Sequence, residues 1–139
     1  MRIMGLDVGV KRIGIALSDP MEIVAGGHSV LERRALQQDL EHIGHLCTSY
    51  EVKMIVLGLP LNMDGSIGPK ALEIKEFALR LEDFTGLKTA FWDERLSTVA
   101  AERVLLEADV SRAKRKKVID KLAAVTILQN YLDRNQTSN

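Results

Sequence analysis

The fold is decided by the N-terminal stretch RIMGLDVGVKRIGIAL, residues 2–17. It holds two short apolar runs, 3–6 and 13–17, separated by the polar and glycine-containing segment 7–12. Two apolar runs joined by such a segment are typical of a β-hairpin. The stretch therefore predicts that the chain opens with two antiparallel strands.

The remaining elements alternate between strand and helix patterns. Helical crossovers join successive strands in parallel, so we expect an α/β fold with a mixed five-stranded sheet, antiparallel in its first three strands and then parallel, with helices on both faces. The predicted elements are a third strand at 23–30 with a bulge at Gly26-Gly27, a helix at 34–50, a strand at 54–58, a helix at 69–84, a strand at 87–92, a helix from Ser97 or Thr98 to 107, an exposed basic connection at 109–117 and a last helix at 117–132.

The composition is that of one globular domain. The chain has 139 residues, with 46% hydrophobic and 27% charged residues, and 19 basic residues balance 19 acidic ones. We expect a single domain over 1–134 and a flexible tail over 135–139. The single cysteine, Cys47, excludes an internal disulfide, and no signal peptide or membrane span is apparent, so a cytoplasmic location is predicted.

Acidic residues stand where predicted elements begin or end. Asp7 closes the first strand, Asp93 and Glu94 follow the fifth, and Asp120 opens the last helix. Because neighbouring side chains of an extended chain point to opposite faces, only one of Asp93 and Glu94 can join a given site. Alternatively, Asp7 is only a turn residue. Asp93 and Glu94 would then be solvated or paired with Arg95.

Asp120 is predicted to face the sheet. Small or apolar residues stand three, four and seven positions later, at Ala123, Ala124 and Ile127, and share its side of the helix. The alternative is a carboxylate that stabilises a helix N-terminus and pairs with Lys116 or Lys117.

If Asp7, one of Asp93 and Glu94, and Asp120 converge, they form a cluster with oxygen ligands only. Such ligands select Mg²⁺ or Mn²⁺, and two such ions can activate water for in-line cleavage of a phosphodiester. The sequence therefore predicts a metal-dependent nuclease.

Basic residues lie beside these acidic positions. Lys11 and Arg12 occupy the predicted hairpin turn, where glycine-spaced amides could approach a phosphate, although the pattern is not a P-loop. Five cations precede Asp120 and would hold backbone phosphates, unless they form only a solvated loop: Arg112, Lys114, Arg115, Lys116 and Lys117.

Four motifs span nearly the whole chain: GLDVG with GIA (5–9 and 14–16), GLPLNMDG (58–65), DERLST (93–98) and KVIDKLAA (117–124). In this order they closely resemble the motifs of the YqgF family, whose members are RuvX-like.

The resemblance implies a ribonuclease-H-like fold related to the RuvC resolvases, and an endonuclease that processes the 5′ end of pre-16S ribosomal RNA. Carried over by motif, Asp7, Glu94 and Asp120 would be the metal ligands and catalytic carboxylates, with Asp93 as the substitute for Glu94. Asn62 and Arg95 would contact nucleic acid.

Other functions stay open at this point. The same chemistry could act on branched DNA as a Holliday-junction resolvase, which would be expected to work as a dimer. A nuclease scaffold could also serve as a non-catalytic module that binds RNA or ribosomal particles. An ATPase is a third possibility, but the chain is too short for a second lobe. The sequence does not give the oligomeric state.

Overall fold

A computed structural model describes residues 1–96 and 112–137 of the chain, with side chains described for 1–96 and 118–135. Strands and helices lie close to their predicted positions. They are β1 (Arg2–Val8), β2 (Arg12–Ser18), β3 (Ala25–Glu32), α1 (Leu36–Ser49), β4 (Val52–Leu59), α2 (Pro69–Thr85), β5 (Lys88–Asp93), a short 3₁₀ turn (Glu94–Leu96) and α3 (Arg112–Thr137).

The five strands form one sheet in the order β3-β2-β1-β4-β5. β1 pairs antiparallel with β2, which pairs antiparallel with β3, whereas β1, β4 and β5 run parallel. The predicted mixed sheet is confirmed. The bulge or bend predicted at Gly26-Gly27 is a bulge one residue later, because Ile15 pairs with Ser29 while Ala16 pairs with Gly27, which leaves His28 as the extra residue.

One face of the sheet packs against α1 and α2. The side chains there are large and apolar, as expected for helices that cross over between parallel strands. Fully buried members include Met4, Leu6, Ile13, Ile15, Ile43, Ile55, Leu57 and Leu81.

The other face packs against α3, and it combines large apolar side chains such as Trp92, Ile127 and Leu128 with glycines and alanines. Gly5 has no room for a Cβ, which would lie 2.7 Å from the Cβ of Leu128. Ala123 and Ala124 of α3 are buried in the same contact. The helix axis therefore lies unusually close to β1 and β2.

Helix α3 is longer than predicted at both ends. It begins at Arg112, so residues 112–117 form its first turns and the prediction that they belong to an exposed connection is wrong; residues 109–111 lie outside the described part. Asp120 is therefore in the third turn and does not open the helix. The helix ends at Thr137, so the first residues of the predicted tail are helical.

The buried side chains in the described part of α3 are Ile119, Ala123, Ala124, Ile127, Leu128 and Leu132, whereas Val118 is 38% exposed. The predicted helix at 97–107 falls outside the described residues.

Within residues 1–96 and 112–137, the structure contains no helix with the length and apolar character that crossing a membrane requires.

Candidate active site at the edge of the sheet

Asp7 lies at the end of β1, on the face that α3 covers. Side chains alternate along a strand, and Ile3 and Gly5 both face α3, so Asp7, two residues after Gly5, faces the same way. Its side chain is nearly buried, at 9% exposure. Among the described residues, Asp7 therefore lies under α3, near the edge of the sheet where β1 ends.

Gly14 brings Asp120 to Asp7. Gly14 is the register partner of Asp7 on β2. A Cβ on Gly14 would overlap the backbone carbonyl oxygen of Asp120, so only glycine lets α3 approach β2 this closely. The predicted inward face of Asp120 is confirmed by the burial of Ala123, Ala124 and Ile127 on the same side of the helix.

Gly58 makes space for Glu94 on the opposite side of Asp7. In β4, Gly58 follows Leu57, which is the register partner of Leu6 in β1. A Cβ on Gly58 would lie 3.1 Å from Oε1 of Glu94. The carboxylate of Glu94 therefore extends over the end of the sheet on the α3 side, where Asp7 and Asp120 also lie.

Asp93 points to the other face of the sheet. It is the register partner of Leu59, which belongs to the core under α1 and α2. The guanidinium of Arg95 donates hydrogen bonds to both oxygens of Asp93, the shortest at 2.7 Å, and these bonds hold the pKa of Asp93 below its ordinary value. Of the two candidates, Glu94 and not Asp93 therefore lies on the face of the sheet that carries Asp7.

Arg95 joins the end of β5 to the loop after β4. Its Nη1 donates to the carbonyl oxygen of Met63 at 3.2 Å. Within the loop, the side chain of Asn62 donates to Oγ of Ser66, and Asp64 accepts bonds from the Ser66 hydroxyl and amide that lower its pKa, with a smaller contribution from the charge of Arg95. Arg95 and the loop that holds Asn62 therefore lie beside Asp93, on the face of the sheet opposite Asp7 and Asp120.

Arg12 forms an ion pair that the sequence did not reveal. Its Nε donates to Oδ2 of Asp120 at 2.9 Å, and both side chains are about one-fifth exposed. The two residues are 108 positions apart, so no local pattern connects them. Asp120 thus pairs with Arg12 in addition to any contact with Lys116 and Lys117, whose side chains lie outside the description.

The other predicted phosphate-binding groups differ in their positions. Lys11 is exposed at the hairpin turn, as expected. The amide of Gly9, however, donates to the carbonyl oxygen of Arg12 at 2.8 Å and so is already bonded within the turn. The five cations from Arg112 to Lys117 lie on the first turns of α3, just before Asp120, and their side chains are outside the description.

The carboxylates at this edge of the sheet are suitable ligands for a hard divalent cation, although they do not converge on a single point. Asp7, Glu94 and Asp120 offer carboxylate oxygens only, which Mg²⁺ and Mn²⁺ prefer. In the described ranges no three Asp, Glu, His or Cys side chains stand at the mutual distances of a metal site. Asp120 already binds one cation, the guanidinium of Arg12, which shows that this position accepts positive charge.

Two solved structures share the whole architecture. A T. thermophilus RuvC in complex with Holliday junction substrate aligns with a TM-score of 0.59 at 13% identity, covering 99% of this chain and 97% of that one. A Fowlpox virus resolvase, solved with Holliday junction DNA, also aligns with a TM-score of 0.59, at 12% identity, covering 97% and 99%. The protein therefore has the ribonuclease-H-like fold of the RuvC resolvases.

The chain belongs to the RuvX family, described as "Holliday junction resolvase", which it matches over residues 1–134. The resemblance to YqgF proteins that the motifs carry is thereby confirmed.

Two relatives are similar to this chain over nearly its whole sequence. A Syntrophomonas wolfei protein is 62% identical over 133 residues, which is 96% of this chain and 94% of the relative. A Carboxydothermus hydrogenoformans protein is 53% identical over 133 residues, 96% of each chain. Both bear the name "Putative pre-16S rRNA nuclease".

Proposed function

We propose that this protein is a metal-dependent endonuclease that cleaves pre-16S ribosomal RNA at its 5′ end. The observation that carries the proposal is the placement of Gly14 and Gly58 on either side of Asp7. Their missing side chains let Asp120 and Glu94 approach the end of β1. The names of relatives more than 50% identical to this chain support the choice of substrate.

Asp7, Glu94 and Asp120 act as the ligands of Mg²⁺ or Mn²⁺ in this proposal. Held by these carboxylates, two such ions would supply an activated water and charge stabilisation for the cleaved phosphodiester. The three carboxylates set the position of the reacting phosphate, because each comes from a different element: β1, the 3₁₀ turn after β5, and α3. The use of two metal ions in the reaction is also part of this proposal.

Basic and polar residues around the carboxylates hold the RNA. Arg95 and Asn62 lie on the β5 side and Lys11 at the hairpin turn, while the first turns of α3 carry five cations just before Asp120. Contacts of this kind neutralise backbone phosphates and do not select a base sequence. We therefore propose that the shape of the folded precursor, and not its local sequence, positions the cleaved bond.

Single-turnover cleavage of a 5′ precursor fragment of 16S RNA tests the proposal. The wild-type protein should cleave it with Mg²⁺ or Mn²⁺ and not with EDTA, and Asp7→Asn should reduce the rate by at least about a hundredfold. The matched control is Asp19→Asn, a change of the same kind in the β2–β3 turn, on another part of the chain. Equal metal-dependent rates for the wild type and Asp7→Asn would contradict the proposal.

Branched DNA is the second candidate substrate. It is favoured by the family description and by the similarity of the fold to resolvases solved with Holliday junctions. A four-way DNA junction tested beside the RNA separates the two functions. A resolvase has to cut two symmetric strands, so paired incisions by a dimer would favour DNA, and cleavage of RNA by a monomer would favour pre-16S rRNA.

A binding role without catalysis gives a different result in the same experiments. Asp7→Asn would then leave the function in cells intact, whereas replacing Lys114, Arg115, Lys116 and Lys117 with alanine would weaken RNA binding.

A further inference from the structure

Arg12 is held on the α3 face of the sheet by its backbone. It is the first residue of β2, and its side chain points to the same face as that of Gly14, two residues later. Its carbonyl oxygen accepts the bond from the Gly9 amide, which fixes the strand at the hairpin turn. The guanidinium therefore stays at the rim of the carboxylate site.

The bond between Arg12 and Asp120 uses only part of the guanidinium. Nε alone donates to Asp120, and among the described residues the side chain has no other hydrogen-bond partner. A guanidinium has five N–H donors, so four of those of Arg12 are available to another acceptor at this edge of the sheet. A second acceptor with two oxygens, such as a phosphate, would satisfy the remaining donors.

A divalent cation that binds Asp120 would lie within a few ångströms of the Arg12 guanidinium, which is already bonded to Oδ2. Two positive charges a few ångströms apart repel, and this site is only about one-fifth exposed, so water screens the repulsion poorly. A divalent cation gains three carboxylates at this edge, whereas Arg12 is bonded to one. The cation is therefore expected to displace Arg12, at a cost in affinity equal to the free energy of the ion pair.

We propose that Arg12 competes with the divalent cation for Asp120 and, once displaced, binds a phosphate of the nucleic acid. This inference rests on the proposed function, because it assumes that Asp120 is a metal ligand. Before metal binds, Arg12 neutralises a carboxylate that would otherwise repel Asp7 and Glu94. Arg12 thus makes binding of the nucleic acid depend on prior binding of the metal.

The test is calorimetric titration of the full-length protein with Mn²⁺ alone. Arg12→Gln should bind Mn²⁺ about two- to fivefold more tightly than the wild type, the change expected when an ion pair of this exposure need not be broken. The matched control is Lys121→Gln, which removes one positive charge from the residue next to Asp120. The stem of Lys121 packs toward Gly27 on β3 and not toward the carboxylate, so its effect should stay below about twofold.

A second measurement uses the wild-type protein and needs no substitution. The Nε–H signal of Arg12 in a nitrogen–proton NMR spectrum reports the bond to Asp120 directly. Titration with Mg²⁺ should shift this signal toward that of a solvent-exposed arginine in parallel with metal binding. A merely structural ion pair would leave the signal in place as the metal site fills.

The outcomes separate the two proposals. If the wild type binds Mn²⁺ and Asp7→Asn abolishes binding, but Arg12→Gln matches Lys121→Gln and the Arg12 signal does not move, only the role of Arg12 is overturned. If the wild type binds no Mn²⁺, the metal site of the proposed function fails and the role of Arg12 fails with it. Tighter binding by Arg12→Gln together with a moving signal supports both.

Discussion

The two faces of the sheet differ in how closely their helices approach the strands. Under α1 and α2, large apolar side chains such as Leu6, Ile15 and Leu57 are completely buried and fill the space between the layers. Under α3, large side chains such as Ile127 and Leu128 are also buried, but glycines let the helix backbone approach β1 and β2 closely, and the carboxylates of Asp7 and Asp120 lie at the rim. The first face stabilises the fold through its buried apolar area. On the second face, the close approach of the helix and strand backbones sets the positions of the carboxylates.

This difference implies that stability and activity can be changed separately. A residue lost from the α1 and α2 face should cost free energy of unfolding and leave the carboxylates where they are. A methyl group added to the α3 face should move the carboxylates even where the fold survives.

The largest effect is expected where a carboxylate of the α3 face is lost. Glu94→Gln should reduce the single-turnover cleavage rate about 10²- to 10³-fold, because it removes a charge that the site needs in a fixed position. The matched change on the other face is Asp93→Asn, which breaks only a surface ion pair with Arg95 and should cost less than about fivefold. Equal losses for the two variants would contradict the assignment of Glu94.

The next effect tests the apolar face. Leu57→Ala should lower the free energy of unfolding by about 2–5 kcal/mol in a urea titration, because it leaves a cavity in a fully buried position. Below its melting temperature the variant should bind Mn²⁺ as the wild type does. A loss of Mn²⁺ affinity without partial unfolding would show that the two faces are coupled.

A single methyl group tests the close contact with α3. Gly14→Ala should lower the free energy of unfolding by about 1–3 kcal/mol, because the added Cβ would overlap the carbonyl oxygen of Asp120. The loss of cleavage should exceed what the stability change alone explains. The control is Gly26→Ala, where the nearest atom would be 3.9 Å away, and stability should stay the same or rise slightly.

The smallest effect concerns a buried thiol on the apolar face. Burial raises the pKa of Cys47 from 9.0 to about 11. The folded state therefore holds the proton more tightly than the unfolded state, so this contribution to stability is complete below pH 9 and is lost as the pH rises toward 11. The free energy of unfolding of the wild type should fall relative to that of Cys47→Ala across this range, and parallel curves would contradict the raised pKa.

Much of the fold follows from local sequence patterns. The apolar runs on either side of Asp7 predict the hairpin, and the small residues after Asp120 predict its inward face. The start of α3 could not be found in this way. Five cations at a helix N-terminus oppose the helix dipole, so the sequence favoured a loop there, although the structure continues the helix through them.

The site itself depends on pairings that a sequence pattern does not contain. Alternation shows that Asp93 and Glu94 point apart, but the choice between them needs the register of β5 against Leu59. The ion pair of Arg12 with Asp120 and the fit of Glu94 over Gly58 likewise come from strands and helices that meet only in the folded chain.

The most direct test of the central claim is a crystal of the protein soaked in Mn²⁺ and measured for anomalous scattering. The account predicts density for Mn²⁺ bound by the carboxylates of Asp7, Glu94 and Asp120 at the end of β1. Mn²⁺ bound only elsewhere, for example at Asp64 and Asp93, would contradict it.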